Sequence, residues 1–189
     1  MNLKTILMVA SATVIASCSS KEVPQTPAEA LIDRLESLVD QGSIMFGHQD
    51  TYLYGHSWKI ASDAQTYDRT DIKDVAGAYP AFSGMDLGGI ELDSPVNIDN
   101  NDFNHMRASA VAHHLRGGVV SFSWHLRNPL TGGDTWDTSS TEVVASILPG
   151  GQKHEMFMGW LSKAADYLEQ ILKIMTLPSF LNSVRKCTR

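Results

Sequence analysis

The chain has 189 residues, 43% of them hydrophobic, and a formal net charge of −6. That is one domain's worth of protein with enough apolar content for a core. Its acidic balance argues against a nucleic-acid partner, which would favour a basic surface.

The N-terminus reads as a targeting segment. Lys4 supplies a positive start, Ile6 to Ala16 is a short apolar run, and Ile15-Ala16-Ser17-Cys18 places small residues before a cysteine. This is the pattern of a bacterial lipoprotein signal over residues 1–17, with an ordinary secretory signal as the alternative. The run is too short to cross a bilayer as a helix. Cys18 is then the lipid-bearing residue of a tether over 18–27, polar and proline-containing. The expected location is the cell envelope, by lipid anchorage at the outer membrane or cell surface. With Cys18 acylated, Cys187 has no partner for an internal disulfide.

A helix is expected next. Thr26 can cap it, Pro27 fits the first position, Glu29 completes a capping box, and Leu31, Ile32, Leu35, Leu38 and Val39 share one face. Gly42 stops it. A strand follows over Ile44 to Gly47 and leads into His48-Gln49-Asp50. Thr51 to Thr70 reads as a loop rich in aromatic residues, and Asp71 to Ala76 as a short helix. A second strand, Tyr79 to Met85, leads into Asp86. After a loop to Asn101, whose Asp99-Asn100-Asn101 offers caps, a helix is expected from about Asp102 to Arg116. Its inner face is Phe103, Met106, Ala110, Val111 and Leu115, with His113-His114 partly solvated. Gly117-Gly118 opens the third strand, Val119 to Ser123, which ends on Trp124-His125. A glycine-rich loop, a short helix over Ser139 to Leu148, and an amphipathic helix over His154 to Gln170 complete the pattern. The last has Phe157, Trp160, Leu161, Ala164 and Leu168 inward. The tail, 171–189, has no acidic residue and no convincing strand.

Strands alternating with helices imply a parallel sheet. Three strand cores, each ending on polar or aromatic groups, are the pattern of a (β/α)8 barrel, which gathers its chemistry at the C-terminal strand ends. The fold class is therefore α/β, with the first three to four β/α units of a TIM barrel in residues 28–170.

Phe46-Gly47-His48-Gln49-Asp50, Tyr79-Pro80-Ala81-Phe82-Ser83-Gly84-Met85-Asp86-Leu87 and Ser123-Trp124-His125-Leu126-Arg127-Asn128-Pro129, with Trp136 and Ala165-Asp166-Tyr167-Leu168, resemble glycoside hydrolase family 26, the β-mannanases. The resemblance implies a (β/α)8 barrel, β-mannan or a related polysaccharide as substrate, and retaining hydrolysis by two glutamates with no cofactor. In that family the acid/base ends the fourth strand in a Trp-His-Glu type motif, and the nucleophile ends the seventh. Neither is identifiable here. Glu91, Glu142 and Glu155 lie between the expected strands, Glu169 is the last acidic residue, and a full barrel needs about 250 residues. The expectation is a chain ended before both glutamates, inactive alone, whose tail reads as a shifted or prematurely ended frame or an unrelated ending.

By the same resemblance, Trp124 and His125 line the cleft near the cleavage point. A neutral imidazole can donate to a sugar hydroxyl, and an indole face can stack on a pyranose ring. Trp136 is a second stacking candidate or a loop anchor. His48, Gln49 and Asp50 read equally as a hydrogen-bonding floor or as a loop cap. Asp86 reads as a support for the site or as a cap of the second loop, with the structural role preferred. A metal held by His48, Asp50 and His125 lacks any supporting ligand spacing, so none is expected. A non-catalytic glycan-binding lipoprotein is the rival reading.

Overall fold

The computed structural model describes residues 24–176. The signal, Cys18, most of the tether and the tail from 177 onward lie outside the described residues. The chain divides into two units, one reaching Ile44 and one beginning at Met45.

The first unit contains α1 (Pro27–Asp40). Its start is the expected capping box. Thr26 Oγ1 accepts from the Glu29 N–H at 3.3 Å, and Glu29 Oε2 accepts from the Thr26 N–H at 2.7 Å. Gly42, at φ 68°, follows the helix in the left-handed region that glycine tolerates. No residue of α1 is buried.

The second unit runs β1 (Gly47–Gln49), β2 (Tyr54–Gly55), β3 (Trp58–Lys59), α2 (Asp71–Ala76), β4 (Phe82–Asp86), a 3-10 turn (Ile90–Leu92), α3 (Phe103–Leu115), β5 (Val119–Ser123), α4 (Val143–Ile147) and α5 (His154–Thr176). Strands β1, β4 and β5 form a parallel sheet in that order. Its connections through helices make it the opening part of a (β/α)8 barrel. Strands β2 and β3 form a small antiparallel pair inside the stretch expected to be loop.

Helices α3 and α5 cover one face of the sheet. Met85 and Leu87 pack there with Phe103, Met106, Ala110, Ala164, Tyr167 and Ile171. Tyr167 centres this cluster: its hydroxyl donates to the Phe103 carbonyl at 2.8 Å, and its ring meets Phe103 and Phe122 edge-on. Burial raises its hydroxyl pKa.

Several expectations shift. The first strand begins at Gly47, not Ile44, and both Ile44 and Phe46 are exposed. Helix α3 is capped by Asp102, whose Oδ1 accepts from the Asn104 and His105 N–H groups, rather than by the triplet before it. Leu115 lies at the exposed end of the helix. Helix α4 begins only at Val143, because Asp137 and Ser140 side chains take up the Ser139 and Glu142 N–H groups in turns. Helix α5 continues past Gln170 to Thr176 and buries Ile171, while Leu161 is partly exposed.

His113 is the largest correction. It is 0% exposed, not partly solvated. The Tyr52 hydroxyl meets its Nδ1 at 2.8 Å, and Gly118 leaves the room its ring occupies, where any Cβ would collide with it. Burial lowers its pKa, so the ring stays neutral.

Candidate functional site

Parallel register sets Asp86 directly beside Ser123 at the C-terminal ends of β4 and β5. Both strands release their chains into one region, and two buried carboxylates hold it in shape.

Asp86 is 2% exposed. Its Oδ1 accepts from the main-chain N–H of Gly88 at 2.7 Å and of His125 at 3.2 Å. Its Oδ2 accepts from Ser123 Oγ and from His125 Nδ1, both at 2.6 Å. Burial alone would raise the Asp86 pKa, but these donors outweigh it and hold the carboxyl below the usual carboxylate value. An ionised carboxylate only accepts, so Nδ1 carries the ring proton and Nε2 is left for a ligand. With its proton on Nδ1 alone, the ring offers Nε2 as an acceptor for a hydroxyl O–H.

Glu91, on the 3-10 turn, is also 2% exposed. Its Oε1 accepts from the Arg127 N–H at 3.0 Å, and its Oε2 from Trp124 Nε1 at 3.1 Å and the Gly89 N–H at 3.0 Å. Sequence reasoning set Glu91 aside as lying between strands. The available signal was the Gly88-Gly89 pair before it: a Cβ on Gly88 would press on the His125 carbonyl and on Asp86. Such close backbone approach marks a built corner.

Between the 89–98 loop and the 125–136 segment lies a cleft of about 480 Å³. His125, Arg127 and Trp136 form one wall, and Glu91, Leu92 and Ile98 belong to the other. Trp136 is 79% exposed and its ring centre lies 6.2 Å from that of His125. Its loop is braced from below. Asn128 Oδ1 accepts from the Leu130 and Thr131 N–H groups, its Nδ2 donates to the Asp137 carbonyl, and Asp134 Oδ1 accepts from the Trp136 N–H. Trp124 is placed differently from its neighbour: half-buried, it packs against the core and sends only its indole N–H to Glu91.

The other predicted residues sit on or just after β1, outside the lining of this cleft. His48 and Gln49 are exposed, and the Gln49 amide lies over Gly84, where a side chain would collide with it. Asp50 is fully buried with φ 49°. Its N–H donates to the Gly84 carbonyl at 2.9 Å, but neither carboxylate oxygen has a hydrogen-bond partner among the described residues. Burial, then the negative charges of Asp99 and Asp86, push its pKa up to about 7. His48, Asp50 and His125 do not converge, and among the described residues no group of three His, Cys, Asp or Glu side chains is placed to hold a metal.

The cleft thus offers an exposed aromatic face, an oriented imidazole nitrogen and a guanidinium. These are groups suited to a polyhydroxylated ring. Asp86 and Glu91 are fully engaged by the protein's own donors.

Most of the chain matches known proteins. The model of glycosyl hydrolase family 26 matches residues 21–180. A mannan endo-1,4-beta-mannosidase of Bifidobacterium adolescentis is 30% identical over 142 residues, covering 72% of this chain and 13% of that protein. A family 26 β-mannanase from Bacteroides ovatus superposes with a TM-score of 0.70 at 38% identity, covering 78% of this chain and 41% of that one. The catalytic domain of a Bacillus sp. JAMB-750 endo-beta-1,4-mannanase gives 0.60 at 29% identity, covering 72% and 36%. The chain therefore spans less than half the length of each.

Proposed function

The chain belongs to glycosyl hydrolase family 26, and on that premise we propose that it supplies one wall of the sugar-binding cleft of a hydrolase acting on β-mannan or a related polysaccharide. The observation that carries this reading is the Asp86–His125 pair beneath Trp136. Trp136 stacks on the C–H face of a pyranose ring, and His125 Nε2, aimed by Asp86, accepts a hydrogen bond from a sugar hydroxyl.

Retaining hydrolysis needs two carboxyl groups about 5–5.5 Å apart, one protonating the leaving oxygen and one attacking from the opposite face. We place that pair outside residues 24–176. Asp86 and Glu91 have their oxygens occupied, and Glu142, Glu155 and Glu169 are exposed on the outer helices and loops. The chain alone then binds sugar without cleaving it, and the two-carboxylate chemistry draws on no cofactor. A lipid on Cys18 would hold it in the cell envelope. A non-catalytic glycan-binding lipoprotein would use the same cleft, and the saturated carboxylates favour that reading for these residues taken by themselves.

Calorimetric titration of the full chain with mannohexaose, beside chromatography of the mixture, tests this. The expected result is binding that is lost in His125→Ala and Trp136→Ala, with no oligosaccharide released. Absence of any binding at millimolar sugar would overturn the sugar reading. Release of mannose oligomers, lost on replacing Glu91, Glu142, Glu155 or Glu169, would overturn the placement of the catalytic pair.

A further inference from the structure

We infer that Glu91 is a positioning residue: buried in the wall of the cleft, it fixes the Trp124–Arg127 segment through the Trp124 indole and the Arg127 amide, and so sets where His125 meets a sugar. This rests on the sugar-binding reading above and assigns a further residue to that site.

All the groups that reach the Glu91 carboxylate are donors: the indole N–H of Trp124 and the main-chain N–H groups of Gly89 and Arg127. A carboxylate satisfies such a set because both its oxygens only accept. An amide of the same shape would turn an N–H toward one of those donors, and an apolar side chain would leave them unpaired in a buried place.

The carboxylate is itself held rigidly. Gly89 at φ 101° and Asp93 at φ 56° bracket the turn that carries it. Lys163 of α5 donates to the Glu91 carbonyl at 2.8 Å and pairs with Asp93 Oδ2 at 2.7 Å. Glu91 is thus tied to the helix layer on one side and grips the segment after β5 on the other.

The two buried carboxylates divide that segment between them. Asp86 holds His125 by its ring and its N–H, whereas Glu91 holds Trp124 before it and Arg127 after it. Trp124 does not line the cleft. An effect of Trp124 on sugar binding therefore passes through its bond to Glu91 and the position of its neighbour.

The test uses the full chain with ¹⁵N-labelled tryptophan. In Glu91→Leu, which leaves no acceptor for the indole, the Trp124 indole N–H resonance, assigned by its loss in Trp124→Phe, moves upfield in the unliganded protein. Glu91→Leu and Trp124→Phe each weaken mannohexaose binding, the latter about tenfold, the scale of losing one hydrogen bond to a charged group. The double variant binds no more weakly than Glu91→Leu alone, since that change already removes the link. An unmoved indole resonance, unchanged affinity, or losses that multiply would overturn the inference. Should Glu91→Leu fail to fold, wild-type affinity in Trp124→Phe overturns it equally well. If the wild-type chain binds no mannohexaose, the sugar reading fails, and the indole resonance still decides whether Glu91 holds Trp124.

Discussion

Two strand ends of the same sheet treat a buried carboxylate in opposite ways. Beyond β4, Asp86 is surrounded by donors and ionises more readily than a free carboxyl. Beyond β1, Asp50 is equally buried, lacks a hydrogen-bond partner among the described residues, and is pushed up to about 7 by burial and by neighbouring negative charge. Burial alone thus says little about a carboxylate's charge; the donors that reach it decide whether it stays ionised or keeps its proton. The anchor lies beneath the cleft residues. Asp50 lies outside the cleft lining.

The sharpest way to break this contrast is to empty the anchored end. Asp86→Ala leaves the His125 ring N–H, the Ser123 hydroxyl and two main-chain N–H groups without their acceptor. It should destabilise the chain by about 2–4 kcal/mol, the scale of orphaned buried donors, and abolish mannohexaose binding. Urea unfolding and calorimetry measure the two effects. A variant as stable as the wild type that still binds sugar would show that Asp86 does not anchor the site.

The other strand end gives an effect of opposite pH sense. A folded pKa of about 7 lies above the ordinary carboxyl value of 3.8. The folded chain therefore keeps a proton that the unfolded chain releases, and this group's contribution to stability falls as pH rises from about 4 to about 7. Asp86, with its depressed pKa, contributes stability that is lost only as pH falls below the ordinary carboxyl range. His113, whose pKa is lowered by burial, tilts stability upward with pH through its unfolded range. The clean measurement is hence a difference. Relative to wild type, Asp50→Asn should gain stability between pH 4.5 and 7.5, read from urea midpoints. Parallel midpoint profiles for the two proteins would show that the Asp50 pKa is not raised in the folded chain.

A third site lets geometry replace charge. Gly118→Ala would put a methyl group into the space of the His113 ring, costing about 1–3 kcal/mol by overpacking. The effect on unfolding should be independent of sugar, because His113 lies outside the lining of the cleft. An alanine variant with an unaltered midpoint would mean the ring is placed more loosely than its burial implies.

How far the sequence carried this picture depends on where each residue's partner lies along the chain. Helix α1 was legible down to its cap, because Thr26 and Glu29 are three residues apart and settle the matter between themselves. Helix α2 keeps the ends expected for it, Asp71–Ala76, where the Thr70 side chain caps its start and Gly77 its end. The parallel sheet followed from alternation of elements. His113 was misread because its burial depends on Tyr52, 61 residues earlier, and on the missing side chain of Gly118. Glu91 was missed for the same reason: two of its three donors lie more than thirty residues later, across the sheet. Ile44 and Phe46 show the converse error, for an apolar run promises a buried strand only where something packs over it, and both are exposed.

The smallest expected change in stability tests the cleft itself. Trp136 is largely exposed, and its loop is held by Asn128, Asp134 and Asp137 rather than by its ring. Removing that ring exposes no buried polar group and opens no core cavity. Trp136→Ala should therefore leave the urea midpoint within about 0.5 kcal/mol of wild type, as for a surface substitution away from such features. Its sugar affinity should nevertheless fall sharply, because the ring supplies the apolar face on which a pyranose stacks. Asp86→Ala loses binding and stability together, whereas this variant loses binding alone. That split separates a residue that holds the site from one that meets the ligand. Equal losses of stability in both would make Trp136 a loop anchor, and unchanged affinity would remove it from the sugar wall.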